Sequence, residues 1–395
     1  MNQNLNESSF RRNGRIAKHI EVMPKSGIRE FFDLVTTVKD IVSLGVGEPD
    51  FVTPWTIREH AIYSLERGKT SYTSNMGLLP LRRAICDYVA KDYQVEYDPV
   101  KECLITVGVS EALDLAVRAL VDPGDEVVYT SPCYVSYPAE VTMAHGVPVP
   151  LVTKVENNFA LDPAELEAKI TPRTKLLMLN FPCNPTGATL NIDQLRAIAK
   201  IAVKHDLVVI TDEIYSELTY VDRAPCIASL PGMRDRTIFL HGFSKAFAMT
   251  GFRIGYACGP ADIIGAMMKI HQYSMLCASI ISQEAAIDAL THGRPDMLRM
   301  RESYLERRNV MVEGLNRIGL DCIVPNGAFY AFPSIKRSGL SSHEFAINLV
   351  KEQKVAVVPG TAFGDCGEGF VRCCYATSLP EIELALERME KFMEK

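Results

Sequence analysis

What this chain lacks narrows its class first. It has no run of 18 apolar residues, so no helical membrane span is expected. Its opening residues, MNQNLNESSFRRNGR, hold no apolar core of a signal peptide and read as a polar tail over 1–15. No internal repeat and no low-complexity segment interrupts the text. Its 11 cysteines include no CxxC pair and follow no regular spacing, so neither a disulfide framework nor a metal site is expected. They read as reduced, buried, small side chains, which points to a reducing, cytoplasmic compartment. Positive charge is not in excess either. The formal net charge is −6, which argues against nucleic acid as the main partner.

What is present fits a large soluble fold. With 395 residues there is room for two or three domains, and 47% hydrophobic residues can fill a sizeable core. Short apolar runs at Cys103–Val107, Glu126–Tyr129, Leu176–Asn180, Leu207–Thr211, Thr237–Leu240 and Ile254–Cys258 read as buried strands. Helical stripes lie between them. One from Ser110 to Val121 carries Ala112, Leu113, Ala116, Val117 and Leu120 on one face. Another spans Ile192–His205, with Asn191 and Gln194 as a capping box. Alternation of this kind predicts an α/β fold with a mostly parallel sheet sandwiched by helices. The large domain is placed at 60–290. A smaller α+β domain is placed at 291–395, with a helix over Arg299–Ile318, strands near Phe329–Phe332, Val355–Val358 and Phe370–Tyr375, and a terminal helix. The segment 16–59 is expected to pack with that small domain.

Ligands of open α/β sheets bind beyond the carboxyl ends of the strands, so the residues that follow each run carry the chemistry. They are Gly108-Val109-Ser110 opening a helix, Ser131-Pro132-Cys133-Tyr134, Pro182-Cys183-Asn184-Pro185-Thr186-Gly187, Asp212-Glu213-Ile214-Tyr215, and Gly242-Phe243-Ser244-Lys245. One crevice would then hold a helix N-terminus for an anion, an aromatic ring, an amide, a carboxylate, a phenol and an amine. Each alone has an ordinary structural reading, as an N-cap, a turn or a surface charge. Together they suit a flat phosphorylated pyridine, pyridoxal 5′-phosphate (PLP). Its phosphate would rest on the Val109 and Ser110 amides with Arg253. Tyr134 would stack on the ring and Asp212 would keep the ring nitrogen protonated. Asn184 and Tyr215 would donate to the ring's phenolate oxygen, and Lys245 would form the Schiff base.

NPTG at 184–187, DEIY at 212–215 and SKAFAMTGFRIGY at 244–256 resemble the class I/II PLP-dependent aminotransferases of fold type I. SLGVGEPDF at 43–51, SYTSNMG at 71–77 and GFVRCCYA at 369–376 extend the resemblance over roughly 25–390. The flavour is that of prokaryotic aromatic and N-acetyl-diaminopimelate aminotransferases. The resemblance implies that Lys245 is the Schiff-base lysine and Arg372 the grip on the substrate's α-carboxylate, helped by a backbone amide at Gly47. It implies that Tyr137 supports Asp212, and that Tyr72 reaches the cofactor phosphate of a neighbouring subunit, hence a homodimer with shared sites. Many relatives carry a serine three positions before the lysine. Here that position is Gly242, and Ser244 is the candidate phosphate hydroxyl instead.

The activity implied is ping-pong transfer of an amino group from an L-amino acid to a 2-oxo acid such as 2-oxoglutarate. A carbon–sulfur β-lyase of the same fold would use the same cofactor residues, and so would an aspartate-preferring aminotransferase. A PLP-sensing module fused to a DNA-binding domain would need a longer leading segment than the few residues before the matched region. The loop Gly108-Val109-Ser110-Glu111 lacks a lysine that some aspartate-specific relatives carry. Ile28, Phe31, Phe32, Tyr134 and Tyr273 supply apolar text near the expected pocket. An aromatic or other large donor is therefore expected.

Overall fold

The chain is described from a computed structural model covering residues 15–21, 23 and 39–394. A two-residue strand β1 (Val42–Ser43) comes first. Then follow β2 (Cys103–Thr106), β3 (Glu126–Ser131), β4 (Val147–Val152), β5 (Thr174–Asn180), β6 (Val208–Asp212), β7 (Thr237–Gly242) and β8 (Gly255–Cys258). These seven form one sheet in the order β2-β8-β7-β6-β5-β3-β4. Neighbours within β7-β6-β5-β3-β4 are parallel, while β8 runs antiparallel to both β2 and β7. Central strands buried on both faces need apolar residues at every position, which is why they read as unbroken runs. The edge strand β4, Val-Pro-Val-Pro-Leu-Val, escapes that rule. Its two prolines are tolerated because an edge strand has no partner on one side.

Helices cover the sheet. Gly108–Leu120 turns its apolar stripe onto β7 and β8. Ile192–Lys204 begins with the expected capping box, Asn191 and Gln194 each accepting from the other's backbone N–H at 2.9 Å.

The C-terminal part holds β9 (Tyr330–Ala331), β10 (Val355–Ala356), β11 (Val358–Pro359) and β12 (Val371–Cys374). β11, β12 and β9 form an antiparallel sheet, while β10 pairs in parallel with β1. Helices Arg294–Arg317, Ser342–Gln353 and Leu379–Met393 share one core with Val42 and Leu44, so the early chain is stitched to the late chain at β1. The boundary expected at 59/60 falls inside the helix Trp55–Glu66. Its Ile57 and Ala61 pack with Ala285, Ala286 and Ala289 of Ile280–His292, on the side of the seven-stranded sheet. The expected tail at 1–15 lies outside the described residues except for Arg15. Among the described residues no helix is long and apolar enough to cross a membrane.

Candidate active site

The strand ends converge as the sequence implied. A cavity of about 420 Å³ is lined by Val109, Ser110, Tyr134, Asn184, Asp212, Tyr215, Ser244, Lys245 and Arg253 from the large sheet. Gly47 joins from the segment after β1, and Tyr330 and Arg372 from the C-terminal sheet. Register explains the grouping: Asn180, the last residue of β5, lies abreast of Asp212, the last of β6, which lies abreast of Leu240 on β7.

Asp212 is buried and accepts only neutral donors. Tyr137 Oη donates to its Oδ2 at 2.9 Å and the Ile214 N–H to its Oδ1 at 3.1 Å. Burial pushes its carboxyl up to about 6, against the downward pull of those two bonds. Lys245 Nζ donates to the Gly47 carbonyl at 2.7 Å. Burial brings the amine down to about 8, with Arg372 and Arg253 adding to the fall and Glu48 opposing it. Arg372 is buried as well. Its Nη1 donates to Asn184 Oδ1 at 3.0 Å and its Nη2 to the Gly45 carbonyl at 2.7 Å, while Nε has no partner. Tyr215 and Tyr330 share a hydroxyl–hydroxyl bond of 2.9 Å. Burial, then the neighbouring Tyr330, raises the Tyr215 phenol well above its ordinary value, so it stays protonated.

The mouth of the site is an anion cradle built of backbone. Gly108 has φ +76° and starts the helix that carries Val109 and Ser110. A Cβ on Gly108 would stand 2.8 Å from Arg253 Nη2, and one on Gly255 would stand 2.7 Å from Val109 N. Glycine is needed at both places so that guanidinium and helix N-terminus can close on one point. Arg253 Nη1 donates to the Thr250 carbonyl, and Ser244 sits in the same lining. The donor set fits PLP: amides and a guanidinium for its phosphate, an unpaired buried carboxylate for a ring cation, an unpaired amine for an aldehyde.

Tyr72, expected to serve a neighbouring subunit, and Tyr273, expected near the pocket, both lie outside the cavity of this chain. Tyr72 is 83% exposed, which rules out a core tyrosine packed within its own chain. Tyr273, expected near the pocket, is 88% exposed at the end of the helix Ala261–Ser274 and is absent from the lining. A surface position follows from its place in the last helical turn, where an aromatic ring needs no core contact. Ile28, Phe31 and Phe32 lie outside the described residues.

Asn180 was missed as a site residue. Its Nδ2 donates to the Asp212 carbonyl at 3.0 Å and its Oδ1 accepts from the Asn184 N–H at 3.2 Å, so one amide sets the spacing of both. A polar residue closing an apolar strand was the available signal. Tyr330 and Glu48 also line the cavity without having been named. Away from it, the fold brings the thiols of Cys86, Cys103 and Cys258 within 4.8 Å of one another in an apolar core, a convergence that spacing along the chain does not reveal. All 11 cysteines are free.

The family profile described as "Aminotransferase class I and II" matches residues 39–389. The chain is 44% identical over 381 residues to an aspartate aminotransferase of Pyrococcus abyssi, covering 96% of this chain and 98% of that protein. It is 42% identical over 383 residues to aromatic-amino-acid aminotransferase 2 of Thermococcus litoralis, again covering 96% and 98%. The crystal structure of an aromatic aminotransferase from Pyrococcus horikoshii superposes with a TM-score of 0.89 at 43% identity, covering 93% of this chain and 98% of the other.

Proposed function

The chain belongs to the class I and II aminotransferases, and from that membership we propose how its residues divide the work of amino transfer and which donors it takes. It is a transaminase whose cofactor is pyridoxal 5′-phosphate. When bound, the cofactor supplies an aldehyde carbon and a cationic ring that draw electrons from the substrate's Cα–H bond.

The residues then have separate tasks. The Val109 and Ser110 amides, Ser244 and Arg253 hold the phosphate. Asp212 holds a proton on the ring nitrogen, Tyr134 covers the ring face, and Asn184 and Tyr215 donate to the ring oxygen. Lys245 anchors the cofactor. As a free amine it would take the proton from the substrate Cα and return it to the cofactor carbon that carries the nitrogen, and burial, which lowers its pKa, favours the neutral form that the task requires. Arg372 grips the α-carboxylate, with the Gly47 backbone beside it, and so fixes which substituent of Cα faces Lys245. The amine is delivered to a 2-oxo acid in a second half-reaction on the same residues, a ping-pong cycle. One observation carries this reading: Lys245, Asp212 and Arg372 share a cavity without a salt bridge between any of them, so their charges are left for a ligand.

We propose an aromatic or other large donor. Among the described lining residues the cations are Lys245, Arg253 and Arg372, and each already has a task. The remaining wall includes Val46, Leu113, Tyr134, Ile214 and Tyr330, with Glu48 adding negative charge. A second carboxylate entering there would be desolvated without a partner, at a cost of several kcal/mol. With 2-oxoglutarate as acceptor, kcat/KM should rank phenylalanine or tyrosine above aspartate and alanine. A lead by aspartate of more than about tenfold, roughly 1.4 kcal/mol, overturns the preference.

We also propose a cytoplasmic homodimer with composite sites. Support comes from Tyr72 and Tyr273, both exposed, and from Met275 and Leu276, exposed nearby where Asn75 Nδ2 donates to the Leu276 carbonyl at 2.7 Å. Mixing Tyr72→Phe with Lys245→Ala subunits should regenerate about one working site per hybrid. Hybrids no more active than either parent would remove the sharing.

A further inference from the structure

Arg372 poses a mechanical problem. A substrate carboxylate needs its guanidinium fork held flat and aimed, yet a carboxylate partner from the protein would occupy the same donors. The structure holds it another way. Its Cζ lies 4.4 Å from the ring centroid of Tyr330 and 4.8 Å from that of Phe363. Both are inside cation–π range, and aromatic faces hold a guanidinium while leaving its in-plane N–H groups free.

The sheet sets up the contact. Tyr330 on β9 is the cross-strand partner of Cys374 on β12, and Arg372 is two residues along β12 on the same face. That makes ring and guanidinium diagonal neighbours, within reach for long side chains. The ring itself is fixed at its tip. Its hydroxyl bonds to Tyr215 Oη at 2.9 Å, the two rings meet edge to face at 5.7 Å, and a Cβ on Gly47 would stand 2.5 Å from Tyr330 Oη. The hydroxyl is thus wedged against the segment whose Gly45 carbonyl accepts from Arg372 and whose Gly47 carbonyl accepts from Lys245.

We propose that Tyr330, backed by Phe363, is a positioning residue for the substrate: its ring holds the Arg372 guanidinium in the plane that receives the α-carboxylate. The proposal rests on the reading of Arg372 as the carboxylate grip. It assigns Tyr330 no contact with the reacting atoms. Loss of the ring should weaken carboxylate binding for donor and acceptor alike, with KM rising more than kcat falls.

The test is equilibrium binding of 3-phenylpropanoate, which has a carboxylate and no amine, to the cofactor-loaded enzyme by calorimetry. Tyr330→Leu should raise Kd by about tenfold to thirtyfold, the size of a desolvated cation–π contact. Tyr330→Phe should restore it to within about threefold, because the ring remains. An unchanged Kd in Tyr330→Leu, or a Kd in Tyr330→Phe as weak as in Tyr330→Leu, overturns the proposal. Should the leucine variant not fold, Phe363→Leu decides from the other ring: weaker binding supports the clamp and wild-type binding ends it. Arg372→Ala separates the two layers. If it binds the probe normally, the reading of Arg372 falls. If it loses binding while Tyr330→Leu keeps it, only the clamp falls.

Discussion

Tyr215 and Glu217 stand two residues apart after β6, yet they serve two buried polar clusters of opposite design. Glu217 accepts from Tyr88, from Tyr93 Oη at 3.0 Å and from Arg223 Nη1 at 2.9 Å. Arg223 also donates to the Asp92 carbonyl at 2.5 Å and lies 4.3 Å from the Tyr93 ring centroid. Burial alone would push the Glu217 carboxyl up, but Arg223 and the Tyr88 hydroxyl outweigh it and hold it below its usual range. On the Tyr215 side burial outweighs what opposes it, the two neutral hydrogen bonds at Asp212 and the nearby Glu48 at Lys245. Asp212 is pushed up to about 6 and Lys245 is brought down to about 8, because neither forms a salt bridge strong enough to offset its burial. A cluster that satisfies itself holds the fold together. One that does not stores its charges for a ligand.

The sharpest way to break this contrast is to remove an unpaired charge. Lys245→Ala should cost about 10⁴-fold or more in turnover, since it removes both the anchor and the base. Borohydride reduction of the wild type should fix the cofactor to the peptide containing residue 245, and label on another lysine would refute the assignment. Asp212→Asn comes next. With no carboxylate to hold the ring proton, turnover should fall by on the order of 10²–10⁴, about 3–5 kcal/mol. Its effect on the cofactor-free protein should have the other sign. Asp212 titrates higher in the fold than its ordinary 3.8, so its contribution to stability is present at low pH and is lost as pH rises toward about 6. Above that pH the cofactor-free Asp212→Asn protein should be the more stable one, by up to about 3 kcal/mol. Thermal melts with and without cofactor would show it. A loss of stability in the cofactor-free variant contradicts the idea of a carboxylate kept unpaired.

Glu217→Gln should behave the opposite way. It leaves Arg223 facing a neutral amide in place of a carboxylate, so stability should drop by about 2–3 kcal/mol, the lower end for a buried pair because Arg223 is partly exposed. Turnover of the folded fraction should stay within about twofold of wild type. Denaturant midpoints and kcat from one preparation check both. A fall in kcat beyond tenfold would mean that the two clusters are not separate.

The difference between these clusters was only half legible in the sequence. Asp212, Tyr215 and Lys245 stood out because each follows an apolar strand, where a parallel sheet exposes its carboxyl ends. Asn184, Val109 and Ser110 stood out for the same reason. Glu217 and Arg223 gave no such signal. Their partners Tyr88 and Tyr93 come from a helix more than a hundred residues earlier, and that pairing exists only after folding. Tyr330 was read as part of a strand, but its meaning depends on cross-strand register with β12. The strand β4 was missed because Pro148 and Pro150 speak against a strand unless the strand is known to be an edge. What the sequence showed well was chemistry placed by local alternation. Long-range pairing, which decides whether a buried charge is spent or free, was hidden.

The finest test makes one chemical change in each cluster. Tyr137 and Tyr93 each give a phenolic hydrogen bond to a buried carboxylate, Asp212 at 2.9 Å and Glu217 at 3.0 Å. Replacing either by phenylalanine deletes one oxygen and keeps the ring. The Tyr137 bond pulls the Asp212 carboxyl down, so its loss lets that carboxyl rise further above 6. In the loaded enzyme the same loss leaves Asp212 held less firmly against the ring cation, so kcat should fall by about threefold to tenfold, and in the cofactor-free protein the stability that Asp212 contributes at low pH should persist to a higher pH. Tyr93→Phe should leave kcat where it was. Glu217 is held below its usual range, so its contribution to stability is present above its unfolded value and is lost as pH falls through the folded one. Without the Tyr93 bond that contribution shrinks by about 1–2 kcal/mol and acid unfolding begins at a higher pH. Both variants should be followed by kcat and by acid denaturation. If Tyr93→Phe lowers kcat, or Tyr137→Phe leaves it unchanged, the division between a structural carboxylate and a working one does not hold.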